Sequence, residues 1–220
     1  MLSIIIPTKN EPYINDLIAD IHKKVSEEHE IIVVDKSDPA PSVRGAKLLL
    51  QKSDGLGNAV VEGMREAKGD VVLMMDGDGS HEPGYINEML KHIRDYDIVI
   101  GSKYVPGGFT EDYPSRVFIS KMFNLVIGAF LGLNVKDLMS GFVMYRRNVF
   151  DGLVLRPRGY KLALEIIYKS SKKRIIKIKE IPVRFYKRKA GTSKVGFNRA
   201  GMSEVWRIFA LALSLKSGSD

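Results

Sequence analysis

Apolar residues along the first hundred positions come in short unbroken runs, several of them stopped by a proline or an aspartate. Run 2–6 ends at Pro7, 31–34 at Asp35 and 70–75 at Asp76, with 47–51 and 97–100 completing the series. Runs of this kind predict strands buried on both faces. Between them the spacing becomes helical. Ile14, Leu17, Ile18, Ile21 and Val25 share one face of 13–25, and Ala59, Val60, Met64 and Ala67 one face of 55–67. Segment 83–94 opens with a proline in its first turn, a helix start. Strands alternating with helices predict an α/β fold, its sheet mainly parallel and covered by helices on both faces. Ligands of such sheets sit beyond the carboxyl ends of the strands. Those ends are 7–11, 35–38, 54–57 and 76–78, and all four carry carboxylates.

The second half is less regular. Segment 115–133 predicts one strongly apolar helix or a pair, 142–146 a strand, and 160–170 an amphipathic stretch. Segment 174–186 reads as extended, with Pro182 marking a sheet edge. A final amphipathic helix is predicted over 199–215, with Met202, Val205, Trp206, Phe209 and Leu213 on one face.

Charge adds a partner to this picture. The 220 residues carry a net +8, but 168–194 alone holds 11 Lys or Arg against the one acid Glu180, or +10. The rest of the chain is therefore slightly acidic, and the basic run calls for an anionic partner: nucleic acid, a phosphorylated ligand or an anionic membrane surface. The chain has no cysteine, which excludes disulfide scaffolds, cysteine nucleophiles and thiolate metal sites. The longest nearly apolar run, 122–133, is 12 residues. As a helix it would reach about 18 Å, short of the roughly 30 Å of a bilayer core. It is expected to lie on a membrane and not to span one. The start of the chain lacks the basic region of a secretory leader.

The sharpest chemical signal is Asp76-Gly77-Asp78-Gly79-Ser80-His81. Two carboxylates one residue apart leave a buried strand where glycines let the backbone bend. Hard oxygen donors in that arrangement suit Mg²⁺ or Mn²⁺, with waters and substrate phosphates completing the shell. Gly55-Leu56-Gly57 opens a helix whose N-terminus favours phosphate.

Together with Pro7-Thr8-Lys9-Asn10-Glu11 and Asp35, these stretches resemble the ordered motifs of family 2 glycosyltransferases of GT-A fold. Residues 101–108, 137–142 and 188–194 are similar to the dolichyl-phosphate mannosyltransferase branch. The resemblance covers roughly residues 2–196. It implies a catalytic domain over 1–196, with a nucleotide-sugar half (1–102) and an acceptor half (103–196), followed by an interfacial amphipathic helix and tail (197–220). It also implies a metal-dependent, inverting hexosyltransferase that moves mannose from GDP-mannose to a polyprenyl or dolichyl phosphate. The expected setting is peripheral, at the cytoplasmic membrane face. The branch has members with and without extra membrane segments, so a membrane-anchoring subunit or a transmembrane segment outside this sequence is an expected partner. By the same resemblance Pro7, Thr8, Asn10, Glu11, Asp35, Gly55 and Gly57 line the donor site. Asp76 and Asp78, with Ser80, hold the metal. Asp137 orients the acceptor or binds the sugar, and Arg116, Ser140, Arg188, Ser193 and Lys194 receive the acceptor phosphate. Three positions depart from the branch: Lys36 replaces a second acid, Ser53 a lysine and Ser80 a glutamine. Donors such as UDP-glucose or UDP-N-acetylhexosamine are the alternative within this fold. A nucleic-acid-binding role would leave the carboxylates unexplained.

Overall fold

The computed structural model describes residues 1–156, 161–187 and 199–217. In chain order the first half runs β1 (Leu2–Thr8), α1 (Ile14–Lys24), β2 (His29–Asp35), β3 (Lys47–Leu50), α2 (Leu56–Glu66), β4 (Val71–Met74), α3 (Tyr85–His92) and β5 (Ile98–Ser102). The second half runs β6 (Phe109–Thr110), α4 (Pro114–Leu131), β7 (Val143–Arg146), α5 (Leu162–Lys173), β8 (Ile178–Pro182), β9 (Arg184–Phe185) and α6 (Arg199–Ser217). Seven strands form one sheet in the order β3-β2-β1-β4-β7-β5-β8, and only β7 runs antiparallel to its neighbours.

Every residue of β1 is buried, as its apolar run, interrupted by Ser3 and ended by Pro7 and Thr8, leads one to expect. Ile5 packs into the cluster formed with α2, α4, α5 and α6, whereas Ile4 and Ile6 pack with α1 and α3. The sheet is thus covered on both faces, as the sequence predicts. One core group has no partner: the Tyr145 hydroxyl on β7 is buried without a hydrogen bond, and burial pushes its pKa far up. A desolvated orphan hydroxyl is a standing cost. Tyr145→Phe is therefore expected to raise the thermal midpoint by about 2–4 °C, the equivalent of roughly 1 kcal/mol in a chain of this size.

The antiparallel strand matters most for the site. Val143 pairs with Met74 and with Ile100, near the carboxyl ends of β4 and β5. Running backwards, β7 delivers the loop before it, 137–142, to the rim where the parallel strands end.

The apolar segment is one continuous helix. Pro114 opens α4, and Gly132, at φ 71°, closes it in the left-handed conformation, with Leu133 N–H bonded back to the Gly128 carbonyl at 2.8 Å. The 12-residue apolar run therefore understated its length. Among the described residues α4 is the one helix long and apolar enough to cross a membrane, by length and composition alone. The extended stretch 174–186 divides into edge strand β8, ending at Pro182, and β9, which pairs with β6.

The cationic run divides too. Arg174 meets Asp97 and Asn148 and Lys173 binds the Gly152 carbonyl, all at the amino end of the sheet, whereas Arg184 and Lys187 lie at its carboxyl end over Phe109 and Tyr113. It is not one patch.

Candidate active site

The residues expected at the donor site converge where β1 and β2 end. Pro7 and Thr8 pair with Val34 and Asp35 across the two strands. The Asp35 carboxylate is buried and accepts bonds from Thr8 Oγ1 at 2.6 Å, Ser37 N–H at 2.7 Å and Ser37 Oγ at 3.0 Å. It shapes this rim from beneath. Asn10 adopts a left-handed conformation, φ 54°, and donates its N–H to Ser37 Oγ at 2.7 Å. Glu11 accepts the Tyr13 N–H. Lys36 pairs with Asp54 at 3.2 Å, which links the end of β2 to the loop before α2. Gly55, at φ 94°, caps α2, and Gly57 is buried in the helix's first turn.

The two aspartates follow β4. Between them the chain grazes the end of β1: a Cβ at Gly77 would lie 2.7 Å from Thr8 Cγ2. Asp78 is buried and accepts the Ser80 N–H at 3.0 Å, while the Asp76 side chain is 35% exposed. The Ser80 hydroxyl is buried and has no hydrogen-bond partner. Among the described residues no cluster of three or more acids or histidines is arranged for a metal. The protein donors at this loop are thus two carboxylates and an orphaned hydroxyl. That set fits Mg²⁺ or Mn²⁺, which retain waters and substrate phosphate oxygens as remaining ligands.

His81 anchors the loop. Its ring stacks on Phe142 at 4.9 Å and meets the edge of Phe185 at 5.3 Å. Its Nδ1 accepts the Asp76 N–H at 3.2 Å, so that nitrogen carries no proton. Burial pushes the imidazole below its usual pKa, against the opposing pull of Asp76 and Asp78. Tyr186 N–H binds the Ser80 carbonyl at 3.0 Å, tying β9 to the same loop.

Asp137 arrives from the β7 side. It is buried, its Oδ2 accepts the backbone N–H and the Nζ of Lys103 at 3.2 and 3.4 Å, and its Oδ1 has no partner. Burial opposes the charge on Lys103, but Asp137, with Tyr104 and Asp112, offsets it and the lysine pKa is raised. Nζ of Lys103 also lies 4.9 Å from the Tyr104 ring centroid and 5.0 Å from that of Phe185. Sequence reasoning missed Lys103 as a site residue, since nothing in the spacing links it to an acid 34 positions away. The only signal was its place within the 101–108 motif.

Ser140 is buried, and its hydroxyl donates to the Gly101 carbonyl at 2.8 Å and accepts the Phe142 N–H at 3.1 Å. It ties the loop to the end of β5. Arg116, in the first turn of α4, pairs with Asp112 at 3.3 Å and is 44% exposed. Arg188, Ser193 and Lys194 lie outside the described residues.

Gly141 packs against the loop that carries Asp76: a Cβ there would lie 2.9 Å from Asp76 Oδ2 and 3.1 Å from Oδ1. Its φ lies outside the left-handed region, so alanine would displace the carboxylate and not the backbone. Gly141→Ala is expected to weaken Mn²⁺ binding about tenfold, read by calorimetry with a nucleoside diphosphate present.

Residues 3–154, more than half the chain, match the profile of the family described as Glycosyl transferase family 2. The chain belongs to this family. It is 35% identical over 210 residues to the dolichol-phosphate mannosyltransferase of Pyrococcus furiosus, a match covering 88% of this chain and 59% of that protein. This chain thus spans less than two thirds of that relative's length. It is 32% identical over 221 residues to the undecaprenyl-phosphate mannosyltransferase of Micrococcus luteus, covering 91% of this chain and 90% of that one. Among solved structures it is similar to glucosyl-3-phosphoglycerate synthase of Mycobacterium tuberculosis in complex with Mn²⁺, UDP and glucosyl-3-phosphoglycerate. That likeness has a TM-score of 0.71 at 18% identity and covers 99% of this chain and 80% of the other. This glycosyltransferase has the mixed, mainly parallel sheet of the GT-A fold.

Proposed function

We propose that this glycosyltransferase moves a hexose from a nucleotide sugar to a polyprenyl phosphate, with mannose from GDP-mannose as the donor pair. The observation that supports it most is the junction of the Asp76–Asp78 loop with the Asp137 loop, at the rim shared by the donor strands and α4. The named relatives add the polyprenyl phosphate and the mannose.

Asp76 and Asp78, with Ser80 Oγ, would hold Mg²⁺ or Mn²⁺. When bound, that ion supplies positive charge against the leaving nucleoside diphosphate. The acceptor needs little activation: a phosphate monoester has a second pKa near 6 and is largely dianionic at neutral pH. Direct attack on the anomeric carbon inverts its configuration. Two anions must be held close together, and cations such as Arg116, Arg188 and Lys194 serve that purpose. Asp137, with its unbonded Oδ1, is suited to accept a bond from a sugar hydroxyl.

A lipid acceptor calls for a membrane-facing surface. Phe118, Ile119, Met122, Leu125 and Val126 of α4 are exposed, beside Phe209 and Leu213 of α6. An apolar face of this size on two packed helices is suited to lie in the headgroup region. The proposed location is peripheral, on the cytoplasmic face.

The donor reading is tested by calorimetry with GDP, UDP and their sugars in the presence of Mg²⁺ or Mn²⁺. Tighter binding of UDP would move the assignment to a UDP-linked hexose. Transfer is tested with radiolabelled donor and a short-chain polyprenyl phosphate in detergent. Donor binding without labelled lipid would overturn the acceptor assignment.

A further inference from the structure

Glu180 is the one acid of the cationic run, preceded by Lys177 and Lys179, yet its carboxylate goes to backbone. Oε2 accepts the Lys136 N–H at 2.8 Å and Oε1 the Asp137 N–H at 3.0 Å. The next N–H, of Leu138, is bound by the buried Oδ1 of Asn124 on α4 at 2.8 Å. Three consecutive amides are therefore held by side chains from two different elements. No strand or helix includes them, so no regular backbone ladder fixes this stretch. On the same loop Asp137 meets Lys103 and Ser140 meets Gly101. Loops carrying functional groups are precise only when their supports are rigid. Hydrogen bonds to an ionised acceptor are roughly twice as strong as neutral ones, which suits Glu180 to this purpose.

We propose that Glu180 is a positioning residue for Asp137, acting from β8 through the two amides, with Asn124 bracing the loop from α4. The inference rests on the proposed role of Asp137 in the site. Glu180→Gln keeps the side chain's volume but turns one acceptor into a donor facing an N–H. Glu180→Asp keeps both acceptor oxygens on a shorter stem.

The experiment uses the full chain, Mn²⁺, labelled GDP-mannose and a short-chain polyprenyl phosphate, with Asp137→Asn as control. Glu180→Gln is expected to lower kcat about tenfold or more, since small misplacements of reacting groups are costly. Donor affinity and the thermal midpoint should change little, and Glu180→Asp should recover part of the rate. A purely structural role would instead lower the midpoint and the active fraction together and leave kcat per active site unchanged. That pattern, or wild-type kcat in Glu180→Gln, would overturn the proposal. Wild-type turnover in Asp137→Asn would remove Asp137 from the site and the inference with it. A hundredfold loss in Asp137→Asn beside an unaffected Glu180→Gln would overturn the positioning role alone.

Discussion

Replacing Asp78 or Asp76 with asparagine is expected to lower turnover by about a hundredfold or more while the chain stays folded. The size follows from the loss of a full charge where the nucleoside diphosphate leaves. Fold is spared for a local reason. Asp78 is buried but accepts the Ser80 N–H, and an asparagine oxygen can keep that bond. Asp76 is partly exposed and rests against Gly141, which tolerates an amide of equal size. Initial rates across a Mn²⁺ and Mg²⁺ titration, with thermal melts alongside, provide the check. More than a tenth of wild-type turnover in both variants would sink the two-carboxylate reading. Ser80→Ala separates binding from folding. It removes an orphaned hydroxyl, so the metal-free protein should be no less stable, while metal affinity falls.

Asp137→Ala should cost about 3 kcal/mol of stability, because it strands the Lys103 charge, whose side chain is only 16% exposed. The sign with pH is fixed by the direction of the shift. Asp137 raises the lysine pKa despite burial, so the pair's contribution is fully present below the ordinary lysine value of 10.5. It is lost only as pH climbs through the raised value. The gap between wild type and variant should therefore be constant from neutral to mildly alkaline pH and narrow above that. Chemical denaturation of Lys103→Met, of Asp137→Leu and of the two combined completes the cycle. Removing both charges should recover most of the loss. A double variant as unstable as Asp137→Ala would show that the pair is not the cause.

Much of the rim was legible from the chain alone. Unbroken apolar runs mean strands covered on both faces, and the residues that end those runs must then lie on one rim. Thr8, Asp35, Gly55 and Asp76 meet there for that reason. The part of the rim that β7 supplies was less legible. Ser140 resembles a phosphate ligand in its motif, yet its proton goes to Gly101. Lys103 gave no periodic signal, because its partner is on a different strand connection.

By itself the sequence determined the layered α/β architecture, the rim, and the pair of hard carboxylates on it, since each follows from local period and chain order. Tertiary structure alone decided that β7 runs antiparallel and brings Asp137 to Lys103 and Gly141 to Asp76. It also decided that the cationic run is split between the two ends of the sheet. These are contacts between residues far apart in the chain, and strand direction and register, not local period, set which of them meet.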